Sequence, residues 1–278
     1  VSADTLAIDF QTEPSVSNFE TLLFDRHDNV VSISLNNPKA KNALTHKTVQ
    51  ELAEALARAA ADDTVSAVVL TGEGGAFSAG ADISVISSEQ EHPIRIEDDI
   101  KRYFKVPVEI IAGMEKPVIA AIEGPAAGIS MSYALSCDLV VMAENAFMMS
   151  PFANINLVPD GGATWLLVNQ LGYRRAYEFF AESQRLPAAE CRDKGLANRV
   201  VADGAARDEA IAWGKSLAEK APMALGFTKR ILRAAENQTL SETLNLEAAY
   251  QTICSNSEDA KEAMKAFFEK RKPVFKGC

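Results

Sequence analysis

The pattern of apolar and polar positions divides the chain into short strands and amphipathic helices. FETLLFDRHDNVVSISLN alternates and is rich in β-branched residues. That predicts two strands, Phe19–Phe24 and Val30–Leu35, joined as a hairpin around a polar turn. NNPKAKNAL is a loop, and in THKTVQELAEALARAAADD apolar residues recur at helical spacing behind Thr45, a predicted N-cap. VSAVVLTG reads as a buried strand, and GEGGAFSAGADISVI as a glycine-rich loop turning into a helix with Asp82 in its first turn. The stretch Ser87–Asp99 is polar and acidic, which predicts a mobile loop, and a helix over about 99–114 leads to the strand KPVIAAIEG. GPAAGISMSYALSCD enters a helix, and DLVVMAEN and AFMMSPF give strands. GGATWLLVNQLG and RRAYEFFAES are further helices, and RVV near Val200 is a last short strand. Beyond Ala205 the pattern is helical throughout. Strands that alternate with helices and then give way to helices alone predict an α/β core with a helical C-terminal region.

Composition narrows the class. With 47% hydrophobic and 24% charged residues the chain has an ordinary globular profile, and no segment offers the ~18 uninterrupted apolar residues of a membrane span. A net charge of −10 argues against non-specific nucleic-acid binding, which needs a basic surface to displace counterions. Cys137, Cys191, Cys254 and Cys278 have no paired or metal-type spacing, which predicts reduced thiols in a cytoplasmic setting. Residues 1–17 lack a basic n-region and a long apolar run, so they are expected to form a poorly ordered leader rather than a signal peptide.

Two loops share one design. AFSAGADIS follows the strand VVLTG, and GPAAGISMS follows VIAAIE; each is a small-residue turn ending in a helix start. Backbone N–H groups at such places are unpaired and point outward, in positive helix-dipole potential. Two of them aimed at one point would form an oxyanion hole. Taken singly, each is also what a tight βα turn looks like.

In this order NNPKAKNAL, GAFSAGADI, KPVIAAIEGPAAG, CDLVVMAENAFM and LVPDGG resemble the crotonase superfamily, the enoyl-CoA hydratase/isomerase family, from about Phe19 to the C-terminus. The resemblance implies a crotonase-like spiral of ββα units over residues 18–204. It also implies a C-terminal helical oligomerisation region, 205–278, that builds homotrimers or hexamers (dimers of trimers). It implies an acyl-CoA thioester as the partner, in fatty acid or related lipid metabolism. Coenzyme A then enters as part of the substrate and no separate cofactor or metal is expected. The oxyanion-hole donors fall by position on Ala81 and Ile129, the latter where glycine is common, so its side chain is expected to narrow the acyl pocket. The adenine would lie against Lys41, Ala43, Ala79, Ala81, Asp82, Ile83 and Ser84.

Asp160 is a lone acid between a proline and two glycines in PFANINLVPDGGATW. Hydratases of the family use two glutamates, at positions held here by Ser132 and Phe152. The 3,2-enoyl-CoA isomerases carry their acid later, as Glu before glycine, and the ring-1,2-epoxyphenylacetyl-CoA isomerases match LVPDGG including the aspartate. One carboxylate suffices for a double-bond shift, because it can take a proton at carbon 2 and return it at carbon 4. Phe152, Ile155, Leu157, Val158 and Trp165 are expected to form an apolar wall around it that excludes water and raises its pKa. The competing role for Asp160 is a helix cap or turn residue. Dehalogenation, with Asp160 as nucleophile, and a binding protein without catalysis are the other readings. Glu123, Asp138 and Glu144 are expected to be structural or solvated, and His27 and His46 to hold no metal.

Overall fold

The structure, a computed structural model, describes residues 19–82 and 96–278. The leader expected over 1–17, the helix expected to follow Asp82 and the expected ligand residues Ile83 and Ser84 lie outside the described residues.

The chain is an α/β fold built on a six-stranded sheet in the order β1(Leu22–His27), β2(Val30–Leu35), β3(Ala67–Gly72), β4(Val118–Ile122), β6(Leu139–Ala143), β9(Arg199–Val201). Only β1 runs antiparallel to its neighbour; the other pairs are parallel. Strands β2, β3 and β4 are buried at every position. That is why they read as nearly continuous apolar runs: a parallel sheet is covered on both faces. A second, three-stranded sheet carries β5(Pro125–Ala127), β7(Phe147–Met149) and β8(Arg185–Pro187), of which β5 and β8 had no strand pattern in the sequence.

Helix α1 (His46–Ala61) starts where expected, with the Thr45 hydroxyl accepting from Thr48 N–H at 3.1 Å, and buries one stripe, Val49, Leu52, Leu56 and Ala59 among it. The first strand begins three residues later than the sequence pattern placed it, so that Asp28, at φ 61°, can turn the hairpin. The acidic segment expected to be a mobile loop to Asp99 is helical from Ile96: α2 (Ile96–Asp99) runs through a π-helical stretch, Ile100–Phe104, into α3 (Lys105–Gly113). Helix α4 (Ile129–Ser136) is buried at all eight positions, and α5 (Ala163–Leu171), α6 (Tyr173–Ala181) and α7 (Ala188–Asp193) follow it.

At the C-terminal end, α8 (Ala206–Ala218) packs on β2, β3, β4, β6 and β9, and Gly214 sits so close that an added methyl would lie 3.2 Å from Val30. This helix covers one face of the sheet. The three remaining helices, α9 (Pro222–Ala235), α10 (Leu240–Ser255) and α11 (Glu258–Glu269), leave large apolar side chains exposed, including Leu240, Phe267 and Phe268. Among the described residues no helix is long and apolar enough to cross a membrane.

Candidate active site

Strands β3 and β4 are parallel neighbours, so the loops leaving their carboxyl ends emerge side by side. They are bridged to each other: Ser78 N–H donates to the Pro125 carbonyl at 2.9 Å and Ala127 N–H to the Ser78 carbonyl at 3.1 Å. On its other side the first loop is bridged to residues 41–44, through Ala79 N–H to the Lys41 carbonyl (2.9 Å), Leu44 N–H to the Gly80 carbonyl (2.8 Å) and Asp82 N–H to the Leu44 carbonyl (2.9 Å). Gly80 is at φ +93°, and close approach also requires it, since a methyl group there would stand 2.7 Å from the Ala127 carbonyl oxygen. Gly128 is glycine for its backbone angle, φ +57°; a methyl there would make only ordinary contacts, at 3.7 Å and beyond.

Within this tied frame two amides are left over. Among the described residues neither the Ala81 N–H nor the Ile129 N–H has a hydrogen-bond acceptor. Ile129 opens helix α4, whose first amides have no partner within the helix. Ala81 pairs with Leu44 only through its neighbours' groups, which turns its own N–H to the opposite side. Both residues line one cavity of about 130 Å³ with Ala79, Gly80 and Gly128.

The same cavity receives Asp160. The chain reaches it through a short 3-10 turn, Phe152–Ile155, and leaves through Gly161 (φ 61°) and Gly162 (φ 83°) into α5 (Ala163–Leu171). Two consecutive left-handed residues are what a glycine pair permits at little cost. Gly161 has a further reason to be glycine: a methyl group on it would meet Ile129 Cδ1 at 2.2 Å and Ser132 Cβ at 2.8 Å. Ser132 completes the lock, its hydroxyl donating to the Asp160 carbonyl at 2.9 Å. The position where the resemblance would place a hydratase's glutamate thus holds the backbone of the lone acid. The Ile129 side chain lines the cavity while its tip packs under Gly161.

The Asp160 carboxyl does not cap α5, which has no side-chain cap; the carbonyl of Asp160 instead accepts from Ala163 N–H at 3.1 Å. Its Oδ1 is buried without a hydrogen-bond partner, and burial pushes its pKa up to about 6. Burial, followed by the nearby Asp160 charge, holds the Tyr133 phenol well above its ordinary value, so it stays neutral and donates to the Phe104 carbonyl at 3.2 Å.

The walls differ in part from the sequence expectation. Phe152, Ile155 and Leu157 line the cavity, as expected. Val158 does not; it is 81% exposed. Trp165 does not either: it lies on the outer face of α5, in a groove with Tyr173, Tyr177 and Phe180. Its helix buries Ala163, Leu166 and Leu167, and Trp165 points roughly 100° per residue away from that stripe. Of the expected coenzyme contacts, Ala79 and Ala81 line the cavity, whereas Lys41, Ala43 and Asp82 belong to the flanking bridged strip. Ile96, Asp99, Ile100 and Phe104, which the sequence reading missed, complete the lining. The i, i+4, i+8 spacing of Ile96, Ile100 and Phe104 was the available signal.

The remaining acids are accounted for. Glu123 accepts from Gly204 N–H and Ala206 N–H, both at 3.0 Å, and so caps α8. Asp138 pairs with the buried Lys229 at 2.7 Å and accepts from Val118 N–H at 2.8 Å. Among the described residues no cluster of His, Cys, Asp and Glu could hold a metal ion.

Comparison with known proteins agrees with this architecture. The 1,2-epoxyphenylacetyl-CoA isomerase of Escherichia coli K12 is 33% identical over 259 residues, 93% of this chain and 99% of that protein. The 2,3-dehydroadipyl-CoA hydratase of the same organism is 30% identical over 256 residues, 92% of this chain and 98% of that one. The crystal structure of an enoyl-CoA hydratase from Bacillus anthracis superposes with a TM-score of 0.88 at 28% identity, covering 93% of this chain and all of that one. The profile of the enoyl-CoA hydratase/isomerase family matches residues 25–278, and the chain belongs to that family, the crotonase superfamily.

Proposed function

We propose that the protein is an acyl-CoA isomerase that shifts a double bond from carbon 3 to carbon 2 of an enoyl-CoA, with Asp160 as the acid/base. The observation that carries this reading is the Asp160 carboxylate, its Oδ1 buried without a hydrogen-bond partner, in the cavity that the unpaired Ala81 and Ile129 amides also line. The thioester oxygen accepts from both amides at about 2.7–3.1 Å, which stabilises negative charge on that oxygen and acidifies the carbon 2 proton. Asp160 removes that proton and the pair of electrons spreads over the dienolate. The same carboxyl then delivers the proton to carbon 4. A pKa near 6 suits a group that must both accept and hold a proton, and the apolar side chains of Phe152, Ile155 and Leu157 lower the polarity of its surroundings.

Two-carboxylate hydration is disfavoured because Ser132 and Phe152 stand where the two glutamates would be and Ser132 is engaged with Asp160. A second reading, isomerisation of a ring-1,2-epoxide, is favoured by the likeness to the Escherichia coli isomerase. Both readings use the same donors and the same acid. In either case, assembly into trimers or dimers of trimers covers the apolar faces of the last three helices.

The test is turnover of 3-enoyl-, 2-enoyl- and ring-epoxide thioesters side by side. Asp160→Asn lowers isomerisation at least ~10²-fold and leaves affinity for a saturated acyl-CoA nearly unchanged. In the parent enzyme kcat rises with pH through about 6 as Asp160 ionises. Parent-level turnover by the Asn variant would remove Asp160 from the mechanism.

A further inference from the structure

Asp160 is not the only acid in the cavity. Asp99 lines it from the helical wall, among Ile96, Ile100 and Phe104. Every other side chain that lines this cavity is apolar or absent, so the two carboxylates are its only charged groups among the described residues. They differ in setting. Asp160 is half-buried on the turn before α5, its Oδ1 shut off from solvent; the Asp99 side chain is 33% exposed and faces His46 at the start of α1, with Nε2 to Oδ2 at 3.6 Å. The His46 ring lies against Tyr103, centroids 4.7 Å apart, and against Phe104, so that Asp99 is seated by the first turn of α1. The chain changes to π-helical pairing directly after it, Lys105 N–H reaching back to the Ile100 carbonyl. π-Helical turns are rare and recur at functional sites.

We propose that Asp99 is a specificity-determining residue that rejects acyl groups bearing a negative charge and admits neutral ones. The inference rests on the acyl-CoA reading of the cavity and adds to it the class of acyl chain. Ile96, Ile100 and Phe104 give the cavity an apolar side along which an acyl chain held at the Ala81 and Ile129 amides can lie, beside Asp99. A carboxylate at the end of that chain enters a cavity whose charged groups among the described residues are both carboxylates, and like charges at short range in partly desolvated surroundings repel. A neutral chain meets only Ile96, Ile100 and Phe104 beside it.

Binding, without turnover, tests this. Calorimetry compares butyryl-, valeryl- and hexanoyl-CoA with succinyl-, glutaryl- and adipoyl-CoA on the parent protein and on Asp99→Asn. The apolar wall disfavours a charged end by desolvation in both proteins, so the informative quantity is the ratio of Kd values, charged over neutral, at each chain length. Asp99→Asn lowers that ratio at least ~10-fold at one or more lengths, while the neutral series keeps its affinity within about threefold. His46→Gln removes the seat of Asp99 but keeps its carboxylate, and it retains the rejection. An unchanged ratio in Asp99→Asn overturns the proposal. So does an equal collapse of the ratio in His46→Gln, which would assign the effect to packing of the helical wall. If no saturated thioester binds the parent protein, the acyl-CoA reading itself fails and this inference falls with it. Normal hexanoyl-CoA binding with an unchanged ratio removes the inference alone.

Discussion

At the scale of single residues, the site sets stability against chemistry. Burial lifts Asp160 from an ordinary value of 3.8 to about 6, so at neutral pH the folded protein holds a charge that the unfolded chain holds more easily. The folded state therefore binds the more protons between those two values, and stability falls as pH rises through that window. Two units correspond to an upper limit of roughly 3 kcal/mol. Asp160→Asn is accordingly expected to raise the thermal midpoint at pH 7.5, by about 1–3 kcal/mol in stability, with the gain fading towards pH 4. A midpoint lower than the parent's at both pH values would show that the carboxylate is stabilised by its surroundings. The acid itself was legible in the sequence, because a lone Asp between proline and glycines in an apolar run is unusual. Its freedom from the helix cap was not: capping and catalysis place the same residue at the same spot in a sequence. Only the orphaned Oδ1 and the Ser132 hydroxyl on the neighbouring carbonyl separate them.

At the scale of elements, the turn before α5 and the start of α4 behave as one part. Gly161→Ala puts a methyl at φ +61° and 2.2 Å from Ile129 Cδ1. Left-handed strain and the clash together are expected to cost about 2–4 kcal/mol and most of the activity. Ile129→Val deletes the clashing carbon, so the double variant recovers part of the loss, and the two changes are non-additive by at least ~0.5 kcal/mol in a thermodynamic cycle. Simple additivity would mean that Gly161 is constrained by its backbone angle alone. Strands β2, β3 and β4 and helix α1 were visible from sequence because burial on both faces or on one stripe leaves a periodic trace. The helical wall over Ile96–Phe104 left a weaker one. Acidic residues at 97–99 and basic ones at 101–102 hide its apolar spacing, and a π turn breaks the 3.6-residue period. Trp165 misled for the opposite reason: a large aromatic two residues into a short helix invites placement in a pocket, yet its neighbours Leu166 and Leu167 take the buried face.

At the scale of the whole molecule, the last three helices are incomplete as an isolated surface. Leu240, Phe267, Phe268 and Val274 are each at least 69% exposed, and Leu244 and Met264 are more than half exposed. Large apolar side chains left exposed in this number are what an interaction face would cover. Sedimentation is expected to give a mass near three or six times the 30.0 kDa chain, and Phe267→Asp with Phe268→Asp to shift it towards one. A parent protein that sediments as a single chain would overturn the assembly. What lies at the centre of the molecule is more robust than this outer face. The two free amides at Ala81 and Ile129 are main-chain groups, fixed by bridges between three loops. A codon change at either position alters a side chain and leaves the peptide hydrogen in place, unless it introduces proline. On the proposed reading, the half of the site that would hold an anion therefore presents almost no target to point mutation, while the half that would move a proton hangs on one carboxylate. A lineage built on such a frame would lose one reaction and take up another by moving a single acid, with its main-chain donors passed down intact.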